Sequence, residues 1–368
     1  MRNSFQVLLI LLFPAFITLF ACNQIQKDKD EDVEIETRVV WTNEQANEWY
    51  ENWEWQVGAN FSPSTAINQL EMWQADTFDP ETIDRELGYA EDIGFNSMRV
   101  YLHHVAWQQD AEGFKNRMRE YLNIADKHGI STLFVFFDDC WNPTYHAGKQ
   151  PDPKPGVHNS GWLQDPGELI YTDPSIIETL ETYVKDILTT FANDKRIILW
   201  DLYNEPGNSG YGNKSLPLLE KVFQWGREVN PSQPLSVGVW NWDLSELTNF
   251  QIINSDVITY HNYGDADDHR NFIASIKELT SKPLLCTEYM ARTRNSTFQN
   301  ILPILKENKI AAYNWGLVDG KTNTKYAWET PIPDGSEPEL WFHEVFRKDG
   351  TPYKQEEVDL IIEITGKD

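Results

Sequence analysis

Two glutamates stand out by their neighbours. Glu205 lies in Trp200-Asp201-Leu202-Tyr203-Asn204-Glu205-Pro206, and Glu288 in Leu284-Leu285-Cys286-Thr287-Glu288-Tyr289-Met290. Each follows an apolar run, with aromatic and amide side chains beside it. In a parallel α/β barrel such a run is a buried strand, and the glutamate falls at its carboxyl end, where that fold builds active sites. Two carboxylates on one rim are what hydrolysis of a glycosidic bond requires. One protonates the leaving oxygen and the other serves as nucleophile or base. Taken singly, Asn-Glu-Pro reads equally well as a turn, and Thr-Glu-Tyr as a strand end with a solvated charge. On two candidate barrel strands together, they favour catalysis.

The elements that would position them alternate along the chain. Apolar, β-branched and aromatic runs predict strands over 55–61, 96–101, 130–137, 197–203, 235–240, 257–261, 284–287 and 311–315. Helical patterns fall at 80–93, 112–128, 214–228, 269–279 and 298–307, with a weaker one at 244–249 and a last one at 339–347. Pro174 opens another, in which Ile176, Leu180, Tyr183, Ile187 and Phe191 recur at intervals of three and four. Eight such units with right-handed crossovers close into a single-domain (β/α)8 TIM barrel over 41–368. A barrel of this kind takes about 250 residues or more, so no second domain is needed. The long loop 138–173 carries Trp141, Trp162 and three prolines, and a loop of that length in a compact domain is usually functional.

Placing each strand's last residues on one rim gathers Arg99, Asn204, Glu205, His261, Tyr263, Glu288 and Trp315. Here the chain resembles clan A of the glycoside hydrolases, most closely the family-five cellulase and mannanase type. The resemblance runs from about Trp55 to Arg347 and rests chiefly on Asn204-Glu205-Pro206, His261-Asn262-Tyr263 and Thr287-Glu288. It implies Glu205 as acid/base and Glu288 as nucleophile. Arg99 and Tyr263 would hold Glu288 charged, and Asn204 would bond the sugar 2-hydroxyl. Trp315 would floor the reacting subsite, and His261 would order the acid/base or a sugar hydroxyl. A proton donor near neutral pH needs a raised pKa, which apolar surroundings and a second carboxylate would give Glu205. Arg99 reads alternatively as a structural ion pair, and Tyr263 and Trp315 as core aromatics.

One position departs from the family-five pattern. A histidine usually ends the third strand, where this chain has Phe136-Phe137-Asp138-Asp139-Cys140-Trp141. Asp138, Asp139, His103 or His104 are candidates for its job. Asn314-Trp315-Gly316-Leu317-Val318-Asp319-Gly320-Lys321 also resembles the family-two β-glycosidase barrels, whose flanking β-sandwich domains are not in this sequence. Trp141, Trp162, Trp240, Trp242 and Trp328 are further candidate sugar platforms, each as readily core residues. His103-His104 is the nearest thing to a metal motif, but neighbours on an extended segment point in opposite directions. No metal and no cofactor is expected.

The first residues read as an export signal. Arg2 precedes an almost wholly apolar stretch over 5–20, and Leu19-Phe20-Ala21-Cys22 resembles the lipobox of bacterial lipoproteins, with Phe20 bulkier than usual. This predicts a signal peptide over 1–21, lipidation at Cys22 and an acidic disordered tether over 22–40. A plain secretory cleavage near Ala21 is the alternative. The expectation is an exported, membrane-anchored lipoprotein with the cell surface as a candidate location, and the alternative is a secreted or periplasmic protein. Cys140 and Cys286 fall on opposite sides of the barrel, so a disulfide between them is not expected. A net charge of −26 argues against nucleic acid and anionic lipid surfaces, and 15 Trp with 15 Tyr suit a glycan cleft. The expectation is a monomeric retaining hydrolase of a β-linked, β-1,4 by resemblance, plant or algal polysaccharide or its oligosaccharides. The alternatives are an exo-acting β-glycosidase of the family-two type and a non-catalytic glycan-binding lipoprotein.

Overall fold

The computed structural model describes residues 38–367. The expected signal peptide, Cys22 and the tether as far as residue 37 lie outside them. Eight parallel strands form one sheet: β1 (Val57–Asn60), β2 (Ser97–Tyr101), β3 (Ser131–Asp138), β4 (Ile197–Asn204), β5 (Leu235–Ser236), β6 (Ile258–His261), β7 (Leu284–Tyr289) and β8 (Ala311–Trp315). Their order is β5-β4-β3-β2-β1-β8-β7-β6. The ring closes between its ends through a parallel bridge from Val239 to Tyr260. There the Val239 amide donates to the Thr259 carbonyl, and the His261 amide to that of Val239, each at 2.9 Å. This is the expected barrel.

The strands are buried on both faces, which explains their continuous apolar runs: all eight residues of β4 are buried. Outward residues such as Phe134, Phe136, Trp200 and Leu202 pack against the helices. Inward residues such as Leu133, Val135, Leu199, Leu285 and Tyr313 fill the barrel. The helices follow the predicted stripes. Ile176–Thr190 buries Ile176, Leu180, Tyr183, Val184, Ile187 and Leu188. Pro80–Asp92 starts where the Asp79 carboxylate caps Thr82 and Pro80 takes the first turn.

Three features differ from the expectations. The fifth strand is only two residues long, because beyond Ser236 the chain leaves β4 and pairs with β6 through the single bridge at Val239. The expected helix at 339–347 does not form. Trp341, Phe342, His343, Glu344, Val345 and Phe346 are all buried, and no one-faced surface helix buries six consecutive residues. The last helix is Gln355–Thr365, ended by Gly366 in the left-handed region. Finally, the ordered body begins before residue 41. Arg38 pairs with Asp256 at 2.6 Å and bonds the carbonyls of Pro231 and Gln233. An unexpected helix, Asn43–Glu51, then starts at a capping box of Thr42 and Gln45. Trp41, Trp49, Tyr50 and Trp53 pack against the inner core, and the Tyr50 hydroxyl bonds the Lys309 carbonyl just before β8. This segment therefore plugs the amino end of the barrel, and the carboxyl end is left for the site.

Candidate active site

The barrel brings Arg99, Asn204, Glu205, His261, Tyr263, Glu288 and Trp315 to the carboxyl rim. All but Arg99 line one cavity of about 1110 Å³, beneath which Arg99 is fully buried. One carboxylate oxygen of Glu205, one of Glu288 and a ring nitrogen of His261 all lie within 4.8 Å of one another.

Glu288 is surrounded by donors. Arg99 Nη1 and the Tyr101 hydroxyl donate to its Oε1 at 2.7 and 2.9 Å, and the Tyr263 hydroxyl donates to Oε2 at 2.7 Å. These are surroundings for an anion. Arg99 also gives two bonds to Asp201 and one each to Asn60, Tyr101 and Asn204. The structural ion pair and the site contact are thus both made by this one guanidinium. Burial alone would lower the pKa of Arg99, but Tyr101, Asp201 and Glu288 hold it well above the ordinary value.

Glu205 stands differently. It sits just past β4 with φ +44, a left-handed conformation that costs a glutamate about 1–3 kcal/mol and turns its side chain into the cleft. His261 Nδ1 lies 2.7 Å from Oε1, while the Cys140 thiol donates to Oε2 at 3.3 Å and the Asn208 amide donates to the same oxygen. Room for the imidazole comes from Gly238, where a Cβ would stand 3.1 Å from His261 Nε2. The expectation of a raised pKa for Glu205 is corrected here. Burial pushes it up, but the donors from His261, Cys140 and Asn208 outweigh burial and leave it below the ordinary carboxylate value. Apolar neighbours were legible in the sequence, and these donors were not.

Asn204 is held on both sides. Its carbonyl accepts from Arg99 Nη2 at 2.8 Å, and its amide donates to Asp138 at 2.9 Å and weakly to Cys140 Sγ at 3.5 Å. Of its two amide hydrogens, one is thus held by Asp138 and the other only by the weak contact to the Cys140 sulfur. Asp138 also accepts from the Trp162 indole at 2.8 Å, and burial pushes its pKa up to about 8. Asp139 points elsewhere, to Tyr203, Ser215 and the Gly207 amide. Of the candidates for the missing histidine's place, Asp138 is the one whose side chain bonds the Asn204 side chain.

Trp315 packs edge-on to Tyr101 and Trp162 at 5.8 and 5.6 Å, and its remaining face borders the cavity. The other five candidate tryptophans all line the cavity too. Trp162 is almost wholly buried, whereas Trp141 and Trp242 are 39% and 38% exposed. Sequence reasoning missed Tyr101, Asn60, Asp201, Cys140 and Asn208. Tyr101 had a signal, since it lies two residues beyond Arg99 and so shares its face of β2.

The argument from opposed histidines is also corrected. His103 caps the helix His104–Gln109, so the chain turns there and the two rings stack at 5.2 Å. With Asp165 they form one of two His/Asp/Glu groups with metal-like spacing among the described residues, the other being Glu205, His261 and Glu288. In the first group Asp165 binds the His104 ring and amide, and His103 Nδ1 accepts from the Val105 amide. In the second the carboxylates face protein donors. The carboxylates of both groups are thus bonded within the protein, while Nε2 of His103 and Nε2 of His261 are buried without a partner among the described residues. Cys140 and Cys286 are free thiols.

Residues 57–321 match the family model for cellulase, glycosyl hydrolase family 5. The chain belongs to glycosyl hydrolase family 5. Among solved structures, this family-five chain is similar to the exo-β-1,4-mannosidase Op5Man5 from Opitutaceae bacterium strain TAV5. The identity is 18% and the TM-score 0.61, over 85% of this chain and 59% of that one. It is also similar to the endo-1,4-β-D-mannanase of Thermotoga petrophila RKU-1, at 13% identity and TM-score 0.54 over 85% and 99% of the chains. A family-two β-galacturonidase from Eisenbergiella tayi follows at 15% and 0.51, over 83% and 51%. At these identities the likeness concerns the fold. The chain spans only 59% of Op5Man5's length. No curated protein matches the family-five chain significantly.

Proposed function

We propose that this protein is a retaining β-glycoside hydrolase acting on a β-1,4-linked plant or algal polysaccharide or its oligosaccharides. The observation that carries the reading is the close approach of Glu205 and Glu288, with oxygens within 4.8 Å, in two different surroundings. Retaining enzymes hold their carboxyl groups about 5–5.5 Å apart, and inverting ones leave about 6.5–9.5 Å for a water.

In the first step a Glu288 oxygen attacks the anomeric carbon and forms a glycosyl ester. The bond to the leaving oxygen breaks as Glu205, protonated in the complex, gives that oxygen its proton. In the second step Glu205 takes a proton from water, whose oxygen attacks the same carbon and releases Glu288. Two inversions return the starting configuration. Tyr263, Tyr101 and Arg99 hold Glu288 in place, so little reorganisation is needed when it attacks. Cleft tryptophans offer faces for the C–H surfaces of sugars. The names of the mannan-active fold relatives make mannan a first substrate to try.

The test is incubation of the purified protein with cellulose, mannan, xylan and aryl β-glycosides, with proton NMR of the first-formed product. A β-anomer appearing first supports the reading, and an α-anomer appearing first overturns it.

We further propose that the protein is exported and held at a membrane through lipid on Cys22. The apolar stretch 5–20 and Leu19-Phe20-Ala21-Cys22 support this. Among the described residues no helix is long and apolar enough to cross a membrane.

A further inference from the structure

We infer that the cleft is closed on its glycone side, so that the enzyme removes the terminal sugar from the non-reducing end of a β-linked chain and does not cut within it. This inference rests on the hydrolase reading above and concerns the part of the substrate which that reading leaves open.

The strand order divides the rim into two arcs. Glu205 follows β4 and Glu288 lies in β7, so one arc between them holds β5 and β6, and the other holds β8, β1, β2 and β3. A chain cut in its middle must leave the site on both sides of this pair. The segments after β3 and after β8 stand at the two ends of the second arc, with β1 and β2 between them, and they join across it. The Asn159 amide donates to the Thr322 carbonyl at 2.8 Å, and the Ile332 amide donates to that of Gly156 at 3.0 Å. Asn323 Nδ2 donates to the Lys154 carbonyl at 3.0 Å.

His158 ties the two segments at the cavity wall. Its Nδ1 lies 2.8 Å from the Tyr326 carbonyl, which can only accept, so Nδ1 carries the hydrogen. Nε2 is then free to accept from the Trp328 indole at 3.2 Å. Burial pushes the His158 pKa down to about 4, and this neutral tautomer holds at neutral pH. The join leaves no slack at Gly156: its φ is +66, and a Cβ there would fall 1.7 Å from the Ile332 carbonyl oxygen. Trp141 stacks on His158 at 5.2 Å, and Trp328 meets Tyr263 edge-on at 4.9 Å. The bridge therefore stands against the tyrosine that binds Glu288.

The chemistry orients the substrate. The reacting sugar lies at Glu288 beside Trp315 of β8, and its leaving oxygen faces Glu205. The leaving portion thus runs out over the first arc. There Trp240 donates its indole N–H to the Pro206 carbonyl beside Glu205, and Trp242 is part-exposed in the cavity wall. A further sugar on the other side of the reacting one would have to pass through the bridge.

The experiment uses the wild-type protein and β-1,4-linked manno-, gluco- and xylo-oligosaccharides of graded length in two forms. One form is reduced at its reducing end, and the other is methylated at the 4-hydroxyl of its non-reducing terminal sugar. The expected result is monosaccharide as the first product from the reduced form and no cleavage of the methylated form. Solution viscosity of the matching polysaccharide should stay unchanged while sugar is released. Cleavage of the methylated form, or an early fall in viscosity with products of mixed length, overturns the inference and leaves the hydrolase reading standing. No turnover of either form or of aryl β-glycosides overturns the hydrolase reading and this inference with it.

Discussion

His261 Nδ1 lies 2.7 Å from Glu205 Oε1, and among the contacts that oppose burial this is the one that most lowers the pKa of the proposed acid/base. A donor at that distance favours the carboxylate, whereas burial favours the neutral acid. Replacing His261 with Ala removes this donor and should raise the Glu205 pKa. The basic limb of kcat/KM, which reports loss of the acid's proton, should then move to higher pH. A pH profile of the variant checks this, and a limb that stays put or moves down refutes the role assigned to the contact.

Glu205→Ala removes the proton donor and leaves Glu288 untouched. Formation of the ester from substrates with activated leaving groups should persist, because they need little protonation, while the natural linkage loses about 10²–10⁴-fold. Azide, which needs no base, should restore the second step and give a β-glycosyl azide. Equal losses on both substrates without rescue would remove Glu205 from the acid/base role. Glu288→Gln should abolish turnover of both by several orders of magnitude.

Arg99→Leu leaves Asp201 and Glu288 buried without their shared cation. Breaking a buried pair in this way costs about 3–5 kcal/mol, so the variant should unfold at markedly lower urea concentration. Asn204 loses a bond in the same change, so the folded fraction should also be slow. An unchanged unfolding midpoint would show that the network adds nothing to stability.

The buried carboxyls predict how stability varies with pH. Burial raises Asp138 and Glu344 to about 8 and Glu86 to about 7, so each keeps a proton when folded that the unfolded chain has already released. Stability from these groups is therefore lost as pH rises towards their folded values. His103, His158 and His269, lowered to about 4 by burial, act in the opposite sense, but only up to about pH 6.5, where unfolded histidine loses its proton. From about pH 6.5 to 8 the carboxyls prevail, and Tm should fall. Each costs at most about 1.4 kcal/mol per pH unit. Thermal melts of Glu344→Gln should show a shallower fall than wild type across that window, and an equal slope would count against Glu344 as a contributor.

For location, Cys22→Ser should move the protein from the membrane fraction to the soluble one with kcat unchanged. Fractionation of the producing cells and mass analysis of the amino terminus read this directly. A wild-type protein found soluble and without lipid would leave plain secretion as the answer.

Much of the barrel was legible because its signals are local. A strand covered on both faces must be largely apolar, as β3 and β4 are, and a helix on the outer ring must carry one apolar stripe, as Ile176–Thr190 does. Such patterns placed Glu205 and Glu288 at strand ends and so on one rim. They failed where burial was not periodic. The stretch from Trp341 to Phe346 looked helical but is enclosed from all sides, and Asn43–Glu51 is fixed by what it plugs.

What only the tertiary structure decided is which groups share a hydrogen bond. Cys140 and Asn208 approach Asn204 and Glu205 from the segments after β3 and β4, and no residue spacing encodes those distances. The direction of the Glu205 shift follows from those contacts, so composition alone pointed the wrong way. The meeting of the segments after β3 and β8 at His158 likewise joins residues 158 and 326, remote in sequence and adjacent only once the ring has closed. The sequence determined the fold and the pair of glutamates, because burial is an additive property of local runs. Charge state and the shape of the cleft depend on contacts between distant loops, and folding alone brings those together.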